Sequence, residues 1–280
     1  MTNTANDIQN RPIGVFDSGI GGVSVLRSLK QHLPAESFIY LGDMARVPYG
    51  TKSKETVLRY SMEAAQMLKQ KHIKMLVIAC NTVTALALTE LRETLDIPVI
   101  GVIEPSARKA CELSQSGRIA LIATEATVAS GEYLRAIQDY RKDSILFPKA
   151  CGLLVALAEE GFLDHPLSEQ AIEHYLTPFF EMSKENRPDC LILGCTHFPF
   201  LSQPIERFVG ERMHVINSAE ATAEMVKQWL VQHGMENTSR EIRQTIQYFV
   251  TDAKPRFLRL ARLFLNENID ETDILSVPCF

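Results

Sequence analysis

Short apolar segments rich in Val, Ile, Leu and Phe alternate with segments of helical period from one end of the chain to the other. The pattern predicts strands at 13–16, 38–41, 75–79, 99–102, 118–122, 144–147, 190–193, 214–216 and 245–250. Between them it predicts helices at 22–32, 53–71, 82–95, 106–115, 127–140, 167–183, 198–208, 219–233 and 254–265. Strand and helix in regular alternation are the mark of a parallel sheet, because parallel neighbours need a long crossover and a helix supplies it. The fold class is therefore α/β, and no low-complexity tract or long linker interrupts it.

The pattern also repeats. Lys74-Met-Leu-Val-Ile-Ala-Cys-Asn-Thr82 reads like Asp189-Cys-Leu-Ile-Leu-Gly-Cys-Thr196, each a strand, a cysteine, a polar cap and a helix. The strands opening the two halves, at Ile13 and Ile119, lie 67 and 76 residues ahead of their cysteines, which makes the repeated unit about 100 residues long. Two similar parallel-sheet domains, related by a pseudo-twofold axis, bring both cysteines to one cleft. Residues 217–280 lie beyond the second unit, so the expected division is 1–103 with 217–280 against 104–216.

Composition narrows the class. At 280 residues, 46% hydrophobic and 22% charged, this is an ordinary globular chain. With 29 Lys and Arg against 34 Asp and Glu, the net charge of -5 gives no overall positive field for a nucleic acid backbone. Met1 to Asn10 lacks the basic and apolar regions of a secretory signal, and the apolar runs are far shorter than the roughly 18 residues of a membrane span. A cytoplasmic protein without membrane contact is expected. In that compartment the six cysteines are expected as thiols; Cys111, Cys151, Cys190 and Cys279 read as filler.

Candidate chemistry gathers at five places. Cys80 ends a strand and opens a helix, where free N–H groups favour negative charge, so its thiol is expected to be acidified. Asn81 and Thr82 read either as helix caps or as donors to a substrate carboxylate. Cys195-Thr196-His197 repeats the arrangement, and two such cysteines at equivalent points are poorly explained by packing. No C-x-x-C pair and no H-x₃₋₅-H spacing occurs, so no metal is expected. Asp17-Ser-Gly-Ile-Gly-Gly22 resembles a dinucleotide fingerprint, yet Ser24 replaces its third glycine and Asp17 would repel a pyrophosphate. Its glycines instead read as a tight turn around an open site, with Asp17 an Asx-turn residue or a group that orients a cation or tunes a thiol. Tyr49 and Gly50 could offer a hydroxyl and N–H groups to an anion, or form a simple turn. Glu159 and Glu160 read as solvated carboxylates at a helix end.

Five ordered motifs give the chain its likeness: Gly14-Val-Phe-Asp-Ser-Gly-Ile-Gly-Gly22, Gly42-Asp with Val47-Pro-Tyr-Gly50, Ala79-Cys-Asn-Thr82, Gly101-Val-Ile-Glu-Pro105 and Leu193-Gly-Cys-Thr-His-Phe-Pro199. Together they resemble the glutamate racemases of the aspartate/glutamate racemase family, over nearly the whole chain. Met44 stands where that family usually has Thr. The resemblance implies cofactor-independent, two-base interconversion of L- and D-glutamate, which supplies D-glutamate to peptidoglycan precursors in a bacterial cytoplasm. It implies that Cys80 and Cys195 are the catalytic thiols, with Asp17, Ser18, Tyr49, Gly50, Asn81, Thr82, Thr196 and His197 contacting substrate or assisting, and Glu159 a helper carboxylate. It further implies a homodimer and regulation by a cell-wall precursor. The alternatives are an aspartate or other acidic amino-acid racemase, a nicotinamide-dependent oxidoreductase and a non-enzymatic amino-acid-binding module.

Overall fold

The computed structural model describes residues 8–237 and 244–279. The first four strands are β1 (Ile13–Asp17), β2 (Phe38–Gly42), β3 (Met75–Ile78) and β4 (Val99–Gly101). Then come β5 (Arg118–Ala123), β6 (Ile145–Ala150), β7 (Cys190–Gly194), β8 (His214–Asn217), β9 (Ile246–Val250) and β10 (Ile274–Ser276). The helices are α1 (Val23–His32), α2 (Lys54–Lys69), α3 (Asn81–Thr94), α4 (Ile103–Leu113), α5 (Glu125–Ser130) and α6 (Glu132–Tyr140). They continue with α7 (Gly152–Glu159), α8 (Pro166–Glu181), α9 (Ser202–Val209), α10 (Ser218–His233) and α11 (Lys254–Leu265).

The strands form two parallel sheets, in the orders β10-β9-β2-β1-β3-β4 and β6-β5-β7-β8. Counted within each unit, the second strand, first, third and fourth stand side by side in both, so the repeat seen around the cysteines extends over four strands. Each sheet is a layer between helices, as fully buried strands require. On one face of the first sheet Val15, Tyr40 and Val77 pack with Leu26 of α1, Val226 of α10 and Phe257 of α11; on the other, Phe16, Leu41 and Ile78 meet α2 and α3. The second sheet is covered by α4 and α6 on one side and by α7, α8 and α9 on the other. Burying one such leucine or phenylalanine is worth about 1.5–3 kcal/mol. β9 and β10 return the chain to the first sheet, and the stacked rings of Phe264 on α11 and Phe200, 3.8 Å apart, join the two units.

Several elements depart from the sequence pattern, each for a local reason. The helix expected over 127–140 is broken at Gly131, which has φ +70° and separates α5 from α6. The helix expected at 106–115 starts earlier, at Ile103, because Pro105 falls in the first turn, where a missing N–H costs nothing. The 144–147 strand runs on to Ala150 through Pro148, tolerated because β6 is an edge strand. The 198–208 helix opens with a 3₁₀ turn, Phe198–Leu201. The sequence reading also omits α7 and the three-residue β10.

Candidate active site

The loops at the carboxyl ends of both sheets converge on one cavity. The first unit contributes Ser18 and Gly19 after β1, Val47 to Gly50 after β2, and Cys80, Asn81 and Thr82 after β3. The second contributes Thr124 after β5, Val155 and Glu159 on α7, and Cys195, Thr196 and His197 after β7. In open parallel sheets ligands bind at these ends, where strand order reverses on either side of the first strand. Among the described residues lining the cavity there is no Lys or Arg.

Cys80 and Cys195 follow the third strand of each sheet and are each 5% exposed. Cys80 is the N-cap of α3, and its Sγ lies 3.2 Å from Ser18 Oγ. The expected acidification of this thiol does not occur. Burial pushes it up to about 12, reinforced by the negative charge of Asp17 and of Cys195, while the Ser18 hydroxyl and the Val83 N–H oppose. Desolvation outweighs a helix terminus when a carboxylate lies close by.

Cys195 has a different neighbourhood. His197 Nδ1 lies 3.7 Å from its Sγ, and His197 Nε2 lies 3.0 Å from Glu159 Oε1. Burial resists charge on this imidazole, but the Cys195 thiolate and the Glu159 carboxylate outweigh it and push its pKa up to about 10. The His197 hydrogen bond in turn holds Glu159 below the usual carboxylate range. Arg256 of α11 binds the other Glu159 oxygen at 2.8 Å. Glu160 is exposed and lies outside the cavity wall.

Asp17 sits beneath the wall at 1% exposure. Its Oδ2 accepts from Gly19 N at 2.9 Å, an Asx turn, and its Oδ1 is buried without a partner. Burial raises its pKa, against the charge of His197. Tyr49 lines the cavity with its ring, but its hydroxyl donates to Asp43 and so is not turned toward an anion. Asp43 also accepts from Arg46 Nε at 2.5 Å and from Thr251 Oγ1 at 2.8 Å, which pins the loop carrying Tyr49 and Gly50. Met44 belongs to the core of the first sheet rather than to the cavity wall.

Of the glycines in 17–22, Gly21 serves close approach between the two units. A Cβ on Gly21 would lie 2.3 Å from Thr196 Oγ1 and 2.6 Å from His197 Cε1. Ser24, the residue that spoils the dinucleotide fingerprint, donates to the Thr196 carbonyl at 2.8 Å. Asn81 Oδ1 accepts from Tyr133 Oη of the opposite unit at 2.7 Å, leaving its Nδ2 buried and unpartnered at the cavity. Thr82 Oγ1 lies 3.1 Å from Thr124 Oγ1, again across the two units.

Thr124, Val155, Tyr133 and Arg256 carry no motif and were not anticipated. Thr124 alone had a signal: it stands one residue beyond β5 as Ser18 stands one residue beyond β1. All six cysteines are unbridged; Cys151 and Cys190 are buried, and Cys279 is exposed. Among the described residues no group of three or more His, Cys, Asp or Glu is placed to hold a metal, and no helix is long and apolar enough to cross a membrane.

Two thiols from duplicated α/β units line one cavity, and comparison with known proteins gives the class to which such a chain belongs. The family described as Asp/Glu/Hydantoin racemase matches residues 13–226, and the chain belongs to it. More particularly, the chain is 42% identical over 267 residues to a glutamate racemase of Chlorobaculum tepidum, covering 95% of this chain and 96% of that one. Among solved structures, glutamate racemase isoform RacE1 from Bacillus anthracis superposes with a TM-score of 0.89 at 35% identity, covering 96% of this chain and 98% of that one. The Francisella tularensis glutamate racemase in complex with D-glutamate gives 0.87 at 33% identity, covering 97% and 98%.

Proposed function

We propose that this protein interconverts L- and D-glutamate without a cofactor, with Cys80 and Cys195 as acid and base on opposite faces of Cα. The observation that carries this reading is that the two thiols follow the third strands of the two sheets and both line one cavity. Inverting Cα requires one group to take the proton from one face and another to deliver a proton to the other. In one direction Cys80, whose thiol burial pushes up to about 12, is the acid, and Cys195, 3.7 Å from His197 Nδ1, is the base. The protons of such a pair titrate as a unit.

The harder demand is the carbanion. Each pKa unit between Cα–H and the thiol is worth about 1.36 kcal/mol, so a ten-unit gap amounts to roughly 14 kcal/mol. Donors aimed at the substrate α-carboxylate, where the charge delocalises, have to supply most of it. Asn81 Nδ2, the hydroxyls of Ser18, Thr82 and Thr196, and the N–H groups that open α3 and follow Cys195 are placed for that role. Tyr49 and Gly50 contribute backbone and shape, Asp17 keeps Cys80 protonated, and His197 with Glu159 serves the Cys195 side.

Supply of D-glutamate to peptidoglycan precursors in a bacterial cytoplasm belongs to this proposal, as does the division of the chain into 1–103 with 217–280 and 104–216. The test is to incubate the purified, cofactor-free protein with L-glutamate and follow optical rotation. Decay to zero supports the reading; a stable rotation, or decay only with added pyridoxal phosphate, rejects it.

A further inference from the structure

The two thiols have unequal surroundings. Cys80 meets the Ser18 hydroxyl and the Val83 N–H, whereas Cys195 heads a chain that runs through His197 and Glu159 to Arg256. The last link crosses between the units: Glu159 ends α7, beside the second sheet, and Arg256 lies in the first turn of α11, which packs on the first. The Glu159 side chain is 24% exposed, enough for its carboxylate to swing into solvent, and Arg256 occupies the oxygen that His197 does not.

The start of α11 is built to aim that guanidinium. Ala253, the residue before the helix, has φ +48°, a left-handed conformation that disfavours any side chain with a Cβ. Pro255 then fixes the first turn. Backbone held against its preference persists where the surrounding structure demands it, and such positions gather at functional sites. α11 is also docked across the units by the Phe200–Phe264 stack, so Arg256 is not their sole tie.

The geometry points to Arg256 as a positioning residue of the Cys195 half-site: it clamps Glu159 on His197 Nε2 and so holds Nδ1 on the Cys195 sulfur. This rests on the two-thiol reading above and goes beyond it, because it assigns a group outside the cavity to one thiol and not the other. An imidazole free to turn loses alignment, and misplacement by about 1 Å costs a catalytic group up to about 10²-fold.

Because L- and D-glutamate are equal in free energy, kcat/KM must fall equally in both directions, and the asymmetry has to be read elsewhere. The first measurement is a double-mutant cycle on racemisation. Arg256→Met should lower kcat/KM at least about tenfold, Arg256→Lys less, and in Glu159→Gln the further loss from Arg256→Met should be under about twofold. The second measurement is α-proton exchange into D₂O in single-thiol variants. Arg256→Met should slow exchange of L-glutamate in Cys80→Ser and leave exchange of D-glutamate in Cys195→Ser nearly unchanged. An undiminished loss in the Glu159→Gln background, or equal slowing of both exchanges, overturns the assignment. If both single-thiol variants exchange the same isomer, the two-thiol reading fails, and the cycle still decides whether Arg256 acts through Glu159.

Discussion

Gly21→Ala is the smallest change that should disable this site, and its size follows from the structure. The new methyl would lie 2.3 Å from Thr196 Oγ1, 2.6 Å from His197 Cε1 and 2.7 Å from His197 Nδ1. Ordinary contact needs about 3.5 Å, so the Thr196–His197 segment has to retreat by roughly 1 Å. It cannot do so freely, because Ser24 holds the Thr196 carbonyl and Glu159 holds the far side of the imidazole. Overpacking of this kind costs about 1–3 kcal/mol of stability. The displacement of a catalytic group should lower kcat/KM by about 10²-fold, or about 2.7 kcal/mol in activation free energy. The control is Gly152→Ala, whose added Cβ meets nothing within 4 Å in the first turn of α7, and it should be neutral or stabilising by about 0.4–1 kcal/mol. Steady-state racemisation followed by circular dichroism, together with thermal unfolding, measures both. A folded Gly21→Ala protein with kcat/KM within twofold of the parent would refute the claim that this glycine exists for contact between the units.

Separating the thiols should leave two one-sided enzymes: Cys80→Ser should exchange only the α-proton of L-glutamate with D₂O, and Cys195→Ser only that of D-glutamate, neither forming the other isomer. Mass spectrometry with chiral separation reads both, and near-normal racemisation by either variant would sink the assignment. The His197–Glu159 pair also predicts a pH dependence. His197 is raised from its ordinary 6.5 to about 10, so its contribution to stability is complete below about 6.5 and is lost as pH rises through 10. Glu159 is lowered from its ordinary 4.5, so its contribution disappears as pH falls below that value. The thermal stability of the parent over His197→Asn should thus be greatest near pH 5–6.5 and shrink toward pH 10; a difference independent of pH would show that the imidazole is not paired as described.

Much of this architecture was legible because it repeats: the strand–cysteine–helix unit at 74–82 and 189–196 locates both thiols, and the topology places them at equivalent strand ends. What escaped did so for physical reasons. α7 is apolar almost all round, so Leu153 to Ala158 has no helical period to read, and Glu159 therefore looked like a solvated carboxylate. Arg256 is 97 residues from Glu159, and nothing local announces their pairing. The acidity of Cys80 was misjudged because the helix terminus is written in the sequence, whereas burial beside Asp17 arises only when β1 and β3 pair.

The strand order also bears on how the chain is made. The second sheet is closed by contiguous residues, 118–217, whereas the first takes β1 to β4 early and β9 and β10 only after the second is complete. Until β9 emerges, β2, buried along its whole length in the finished protein, is an open apolar edge. At about 5–20 residues per second a ribosome leaves that edge uncovered for many seconds. The nascent chain in that interval is therefore the form most exposed to aggregation, and a ribosome stalled before Ile246 presents Phe38–Gly42 as the surface a chaperone has to shield.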